Sequence, residues 1–196
     1  MKKGTIGLLV VGVVILMLIG GTLTTYNSLV AKDEAVTTAW GNIQSQYQRR
    51  ADLVPNLVNT VKGYAKHESE TLEGVVEARA KATQIKVDAD NITPEKLKQF
   101  QSAQGELTQA LGRLIAVQEN YPDLKANENF SELQAQLEGT ENRINESRQL
   151  YNAAVQTYNV SVRRFPANIV AGMFGFDKKT QFEAEAGTEK APQVEF

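Results

Sequence analysis

The side chains able to do chemistry in this 196-residue chain are few and scattered. His67 is the single histidine, and there is no cysteine. A di-iron bundle needs Glu-x-x-His pairs, and Tyr64 stands where the glutamate of such a pair would lie, so that metal site cannot be assembled. Thiolate metal sites and disulfides are excluded by the same composition. No glycine-rich phosphate loop, nucleophile elbow or convergent acid pair occurs. His67 falls beside Glu68 in a turn, where a solvated imidazole is expected rather than a catalytic base. The residues therefore predict no catalytic group, no metal ligand, no cofactor and no small-molecule substrate.

One polar constellation stands out. Arg50, Gln104, Gln118, Asn142, Asn145 and Arg148 lie on or beside apolar helical seams. Matching Ala31 with Phe165 in an antiparallel pair places Arg50 level with Asn145 and Glu146, and matching Tyr121 with Phe130 brings Glu106 to that height. The expectation is a structural polar layer in which Arg49 or Arg50 pairs with Glu106, Glu141 or Glu146. It would fix register more than add stability. The alternative lays both arginine stems across the surface with their heads in water. Trp40, Tyr47, Tyr151 and Tyr158 recur at helical spacing and are expected in the core, their polar atoms meeting Asn or backbone groups. The Tyr-Asn pairs at 26–27, 151–152 and 158–159 are assigned to the same packing.

These groups must be positioned by helices. Gly4 to Leu23 is an uncharged run of about 20 residues, the length a helix needs to cross a bilayer. No small-x-small cleavage site closes it, so a retained anchor is expected. Lys2 and Lys3 precede it and the next basic residue is Lys32. The positive-inside bias therefore puts the remainder outside the cytoplasm. The formal charge of −2 comes with scattered basic residues, which argues against nucleic acid.

Beyond Tyr26 an apolar seam begins: Val36, Trp40, Ile43, Tyr47, Arg50, Val54, Leu57, Val61, Tyr64. Its alternating steps of four and three predict one long helix, with a kink or break at Ala51 to Pro55. A weaker helix runs from Ser69 to Lys86. Thr93-Pro94-Glu95 opens a third through Leu97, Phe100, Leu107, Leu111 and Leu114, which Tyr121-Pro122-Asp123 stops. Asn129 and Glu132 form a capping box for a fourth, the longest, about 54 Å, ending at Pro166. Its seven-residue repeat favours shallow, left-handed packing.

The quoted helices carry separated signatures: Arg49-Arg50-x-Asp52-Leu53-Val54-Pro55-Asn56-Leu57-Val58, Glu138-Gly139-Thr140-Glu141-Asn142-Arg143-Ile144, Tyr151-Asn152-x-x-Val155, and Phe165-Pro166 leading into Phe174-Gly175-Phe176. Together they resemble the LemA family from Tyr26 to Phe176. The resemblance implies a bacterial single-pass membrane protein with a helical bundle, and one branch is associated with forming magnetosome membranes. Family descriptions place the bundle in the cytoplasm, opposite to the orientation the lysines give.

The fold class expected is all-α, an N-terminal transmembrane helix followed by an antiparallel four-helix bundle. Residues 1–25 form the anchor, 26–165 the bundle, 166–176 an apolar membrane-proximal segment and 177–196 a disordered acidic tail. Because an even number of antiparallel helices ends beside its start, Phe165, Ile169, Val170, Met173, Phe174 and Phe176 should lie near lipid or form a contact with a protein partner. Folding back over the bundle's lower end is the other possibility. The function expected is a non-enzymatic membrane-anchored scaffold at the bacterial cell envelope, associating with other proteins or with itself. An envelope or lipid sensor, bending at Pro55, is the alternative.

Overall fold

No breaker stands between the apolar run and the first amphipathic seam, and the two form one helix. The computed structural model describes residues 3–182. Helix α1, Lys3–Tyr64, is 62 residues long, or about 93 Å at the usual rise. Its first third is apolar and open, with Leu8, Leu9, Leu16, Met17 and Leu18 all exposed, and is long enough to cross a membrane. The chain continues as α2 (Ser69–Gln84), α3 (Pro94–Ala116), α4 (Pro122–Lys125), α5 (Glu128–Arg163) and α6 (Ala167–Phe174). Turns of 3-10 helix occupy Ala89–Asn91 and Val117–Asn120. The described chain is all-α. Helices α1, α2, α3 and α5 make the bundle, and α4 and α6 are short additions that the expected count of four left out. Because the anchor and first seam are one rod, α1 rather than α5 is the longest helix.

Pro55 lies inside that rod, and of the kink or break expected there the break does not occur. Proline removes the N–H that would bond the carbonyl of Ala51, four residues earlier. Ala51 is buried, and its orphaned carbonyl instead accepts a hydrogen bond of 2.8 Å from Arg79 Nε on α2. A neighbouring helix thus supplies the donor that the sequence removed, as a buried carbonyl requires.

Caps fix the other helix starts. Thr93 Oγ1 accepts from Lys96 N at 3.2 Å, with Pro94 in the first turn. On α5 the cap is Asn127, whose Oδ1 accepts from Phe130 N at 2.9 Å. The predicted cap, Asn129, already lies inside the helix, because α4 delivers the chain to Asn127 in extended geometry.

Helices α1 and α5 run antiparallel in constant register. Asn127 Nδ2 donates to Tyr64 Oη at 2.9 Å, Arg50 meets Glu141, and the Trp40 and Tyr151 rings lie 5.6 Å apart. The heptad series Phe130, Leu137, Ile144, Tyr151 and Tyr158 is buried throughout. The shorter α2–α3 hairpin packs on this pair, and Gln104 Nε2 reaches the Ala82 carbonyl across it at 3.2 Å. The apolar interior is not one continuous stripe. A cluster around Trp40, Phe100, Ile144 and Tyr151 occupies the end near the anchor, and one around Leu57, Leu107, Leu114 and Phe130 the far end.

The Arg79 bond generates a double-mutant test. Arg79→Ala should cost about 1–3 kcal/mol, the usual penalty for an unsatisfied buried acceptor. In a Pro55→Ala background, whose restored N–H satisfies Ala51, the same change should cost clearly less. Urea unfolding of the four chains measures the coupling.

Candidate functional site

Between the two apolar clusters lies a polar layer centred on Arg50, which is 2% exposed. Its Nη1 donates to Glu141 Oε2 and Thr108 Oγ1, both at 2.8 Å. Its Nη2 donates to Gln104 Oε1 at 2.7 Å and to the Gln104 carbonyl at 3.1 Å. The guanidinium also lies 5.1 Å from the centre of the Tyr47 ring. Glu141 keeps 41% of its side chain exposed, so the pair is desolvated mainly on the arginine side. Three helices thereby share one charged group.

Of the residues expected in this layer, the structure joins Arg50 and Glu141. The register of α1 on α5 is about five residues, or about 7.5 Å, from the one assumed in matching Ala31 with Phe165. Asn145 and Glu146 consequently sit past the guanidinium and are exposed. Arg49 is exposed on the outer side of α1. Glu106 lies between the inward Gln104 and Thr108, so its side chain leaves on the opposite side of α3 and approaches Lys81 at 3.8 Å. That carboxylate, with the closer Glu77 acting first, raises the Lys81 pKa.

Nearer the anchor, α1, α5 and the 85–92 connection form a groove that holds residues 176–182. Trp40 Nε1 and Gln44 Nε2 both donate to the Val87 carbonyl at 2.9 Å, fixing one wall. On the other wall Asn159 Nδ2 donates to the Lys179 carbonyl at 2.8 Å while Lys179 N donates back to Asn159 Oδ1 at 2.9 Å. Asn152 repeats this with Phe182, at 3.1 and 2.8 Å. Seven helical residues rise about 10.5 Å and three extended residues about 10 Å, so asparagines one heptad apart match positions three apart on a strand. Tyr151 Oη donates to the Thr180 carbonyl at 2.9 Å. Phe182 is buried, 5.9 Å from the Trp40 ring and 5.4 Å from that of Tyr151, beneath the Arg148 guanidinium.

The predicted acidic tail therefore begins as a docked strap through Phe182, and its remainder, 183–196, lies outside the described residues. Nothing in the sequence pattern marked Phe182. Two Tyr-Asn pairs seven residues apart were the available signal, read there as packing alone.

At the foot of the bundle α6 buries Val170 and Ala171 and presents Ile169 and Met173 outward. Phe174 and Phe176 pack on Tyr26, with ring centres 4.8 and 5.6 Å away. Phe165 is 76% exposed and Met173 70%. His67 is exposed in the turn joining α1 to α2. No group of three His, Cys, Asp or Glu side chains gathers among the described residues.

Two predictions follow from this geometry. Arg50→Met should lower stability by about 2–3 kcal/mol, since buried Gln104 loses its donor, whereas Glu141→Gln keeps an acceptor and should cost about 1 kcal/mol. Chemical unfolding distinguishes them. Burial pushes the Tyr151 hydroxyl up to about 12; burial, then the carboxylates of Asp33 and Asp177, does the same for Tyr158. Because folding favours the protonated phenols, their contribution should be intact below pH 10, the ordinary tyrosine value, and fall as pH rises from there through about 12. An ultraviolet titration should show Tyr151 and Tyr158 ionising late, together with loss of helix.

Comparison with known proteins places the chain among relatives. Magnetosome protein MamQ 2 and magnetosome protein MamQ 1 of Paramagnetospirillum magneticum are each 30% identical over 179 residues, 82% of this chain and 65% of the relative. Protein LemA of Metamycoplasma hominis is 28% identical over 146 residues, 74% of this chain and 63% of the relative. The chain thus spans about 65% of the length of these curated relatives. The LemA family model matches residues 39–196, a stretch that includes the arginine layer, both Tyr-Asn pairs and the strap, and the chain belongs to the LemA family.

Proposed function

We propose that the protein is a non-enzymatic, membrane-anchored scaffold that holds its bundle in a fixed pose at the bacterial cell membrane. The observation that carries this reading is the foot of the bundle. An exposed apolar stripe of Phe165, Ile169 and Met173 adjoins a helix that continues unbroken into the apolar anchor. A short helix with its inner face on protein and its outer face apolar suits the lipid interface. Phe174 and Phe176, gripping Tyr26 just beyond the anchor, hold α6 at that height. Arg163, Arg164 and Lys178 are exposed nearby, where they would meet anionic headgroups.

In this reading the span, the bundle spine and the interfacial helix are one rigid unit, displaying the outer faces of α2, α3 and α5 to other proteins. The names of the MamQ relatives, magnetosome proteins, support a role in organising membrane-bound assemblies. Sensing by bending at Pro55 is disfavoured, because Arg79 ties down the carbonyl a hinge would release. Lys2 and Lys3 ahead of the span favour an extracytoplasmic bundle. Fusing a compartment-specific reporter after Phe196 would show a cytoplasmic signal if that orientation is wrong.

The lipid contact is testable because the chain has no cysteine. A nitroxide on Met173→Cys in nanodiscs should collide with oxygen more than with a water-soluble nickel complex, unlike one on Arg143→Cys in mid-bundle. Equal accessibility at the two positions would remove the interfacial role.

A further inference from the structure

The strap groove has the features of a recognition site as well as a packed seam. Paired amide bonds from Asn152 and Asn159 grip main chain, so they accept any residue able to lie extended, much as a sheet edge accepts a strand. Selectivity comes from two side chains. Phe182 enters the aromatic box of Trp40 and Tyr151 under the Arg148 cation. Lys179 is paired with the Asp33 carboxylate and stands 5.5 Å over the Tyr158 ring. Between them Gln181 is exposed, and Thr180 is engaged chiefly through its carbonyl. The groove therefore reads an extended Lys-x-x-Phe.

We propose that this groove is a strand-binding site that the chain's own 179–182 fills within one molecule, and that the same segment of a second copy fills between molecules. An identical segment fits an identical groove, the condition for exchange of an element between protomers. The strap leaves α6 at Gly175, which holds a left-handed φ of 74°, and Asp177 and Lys178 beyond it are exposed. Residues 175–178 must rearrange, which releases Phe176 from Tyr26 while Phe174 keeps its contact there, and extended they reach up to about 14 Å, toward a copy packed alongside. An anchor in each copy would hold neighbouring grooves at one height above the membrane and raise their effective concentration. This deepens the scaffold reading, on which it rests for the common membrane plane, by naming a second copy as partner.

Trp40, the only tryptophan, lies against Phe182 and reports occupancy. In the full chain in detergent, Phe182→Ala should shift Trp40 emission to the red. A capped peptide of residues 178–183 should restore it saturably, and the peptide with alanine in place of its Phe should not. Adding Asn152→Ala and Asn159→Ala to the chain should weaken peptide binding at least tenfold. In liposomes, a photo-cross-linker at position 182 should capture Tyr151 or Asn152 of a differently tagged copy.

Failure of the peptide to restore emission in a Phe182→Ala chain that keeps its helical circular dichroism would overturn the strand site. Should that variant lose helix, Phe182→Leu is read in the same way. Peptide binding with cross-links confined to single molecules would overturn the second copy as occupant. Because the peptide assay needs no bilayer, its result is independent of the lipid contact of α6.

Discussion

Arg50 is the constraint on which the rest of the bundle depends. A guanidinium removed from water needs acceptors at fixed positions, and α3 and α5 supply them as Gln104, Thr108 and Glu141. Sliding α5 by one turn along α1 would leave the heptad faces still apolar but strand the buried charge, at a cost of several kcal/mol. The apolar clusters on either side drive association, whereas the arginine selects one register from those they would tolerate. That register sets Trp40 against Tyr151, and so creates the aromatic wall on which the strap lies.

A second buried group is satisfied by a similar device. Pro55 takes a donor away from α1 and Arg79 returns one from α2. Both arginines lie in the middle of the bundle and each ties α1 to a different neighbour, so α1 is clamped along the part that continues into the membrane span. Its 62 residues run from the apolar end to the far end of the bundle as one helix. Interior chemistry of this kind holds a shape, in keeping with a membrane-associated helical protein of the LemA family.

The strap adds a third kind of contact, main chain read by side chain. Amide pairs from α5 give residues 179 and 182 the hydrogen bonds that a strand would receive from a sheet, on a surface with no strand. They also join the end of α6 to the lower cluster, so α6, the strap and the aromatic core belong to one packed foot.

The sequence by itself determined the helical periodicities, the anchor, the proline-started α3 and most of the buried positions, because these follow from spacing and local stereochemistry. It also marked Arg50 as a charge on an apolar seam. Only the tertiary structure decided its partners, since a register error of five residues is invisible to heptad spacing yet moves the contact from Asn145 and Glu146 to Glu141. The donor for Ala51 lies 28 residues away on another helix, and the binding of residues 179–182 depends on groups brought together from α1, α5 and the 85–92 connection. Composition alone makes that stretch a polar tail. Local pattern specifies what each helix must bury; which groups meet depends on the relative placement of the helices, and that exists only once they have packed.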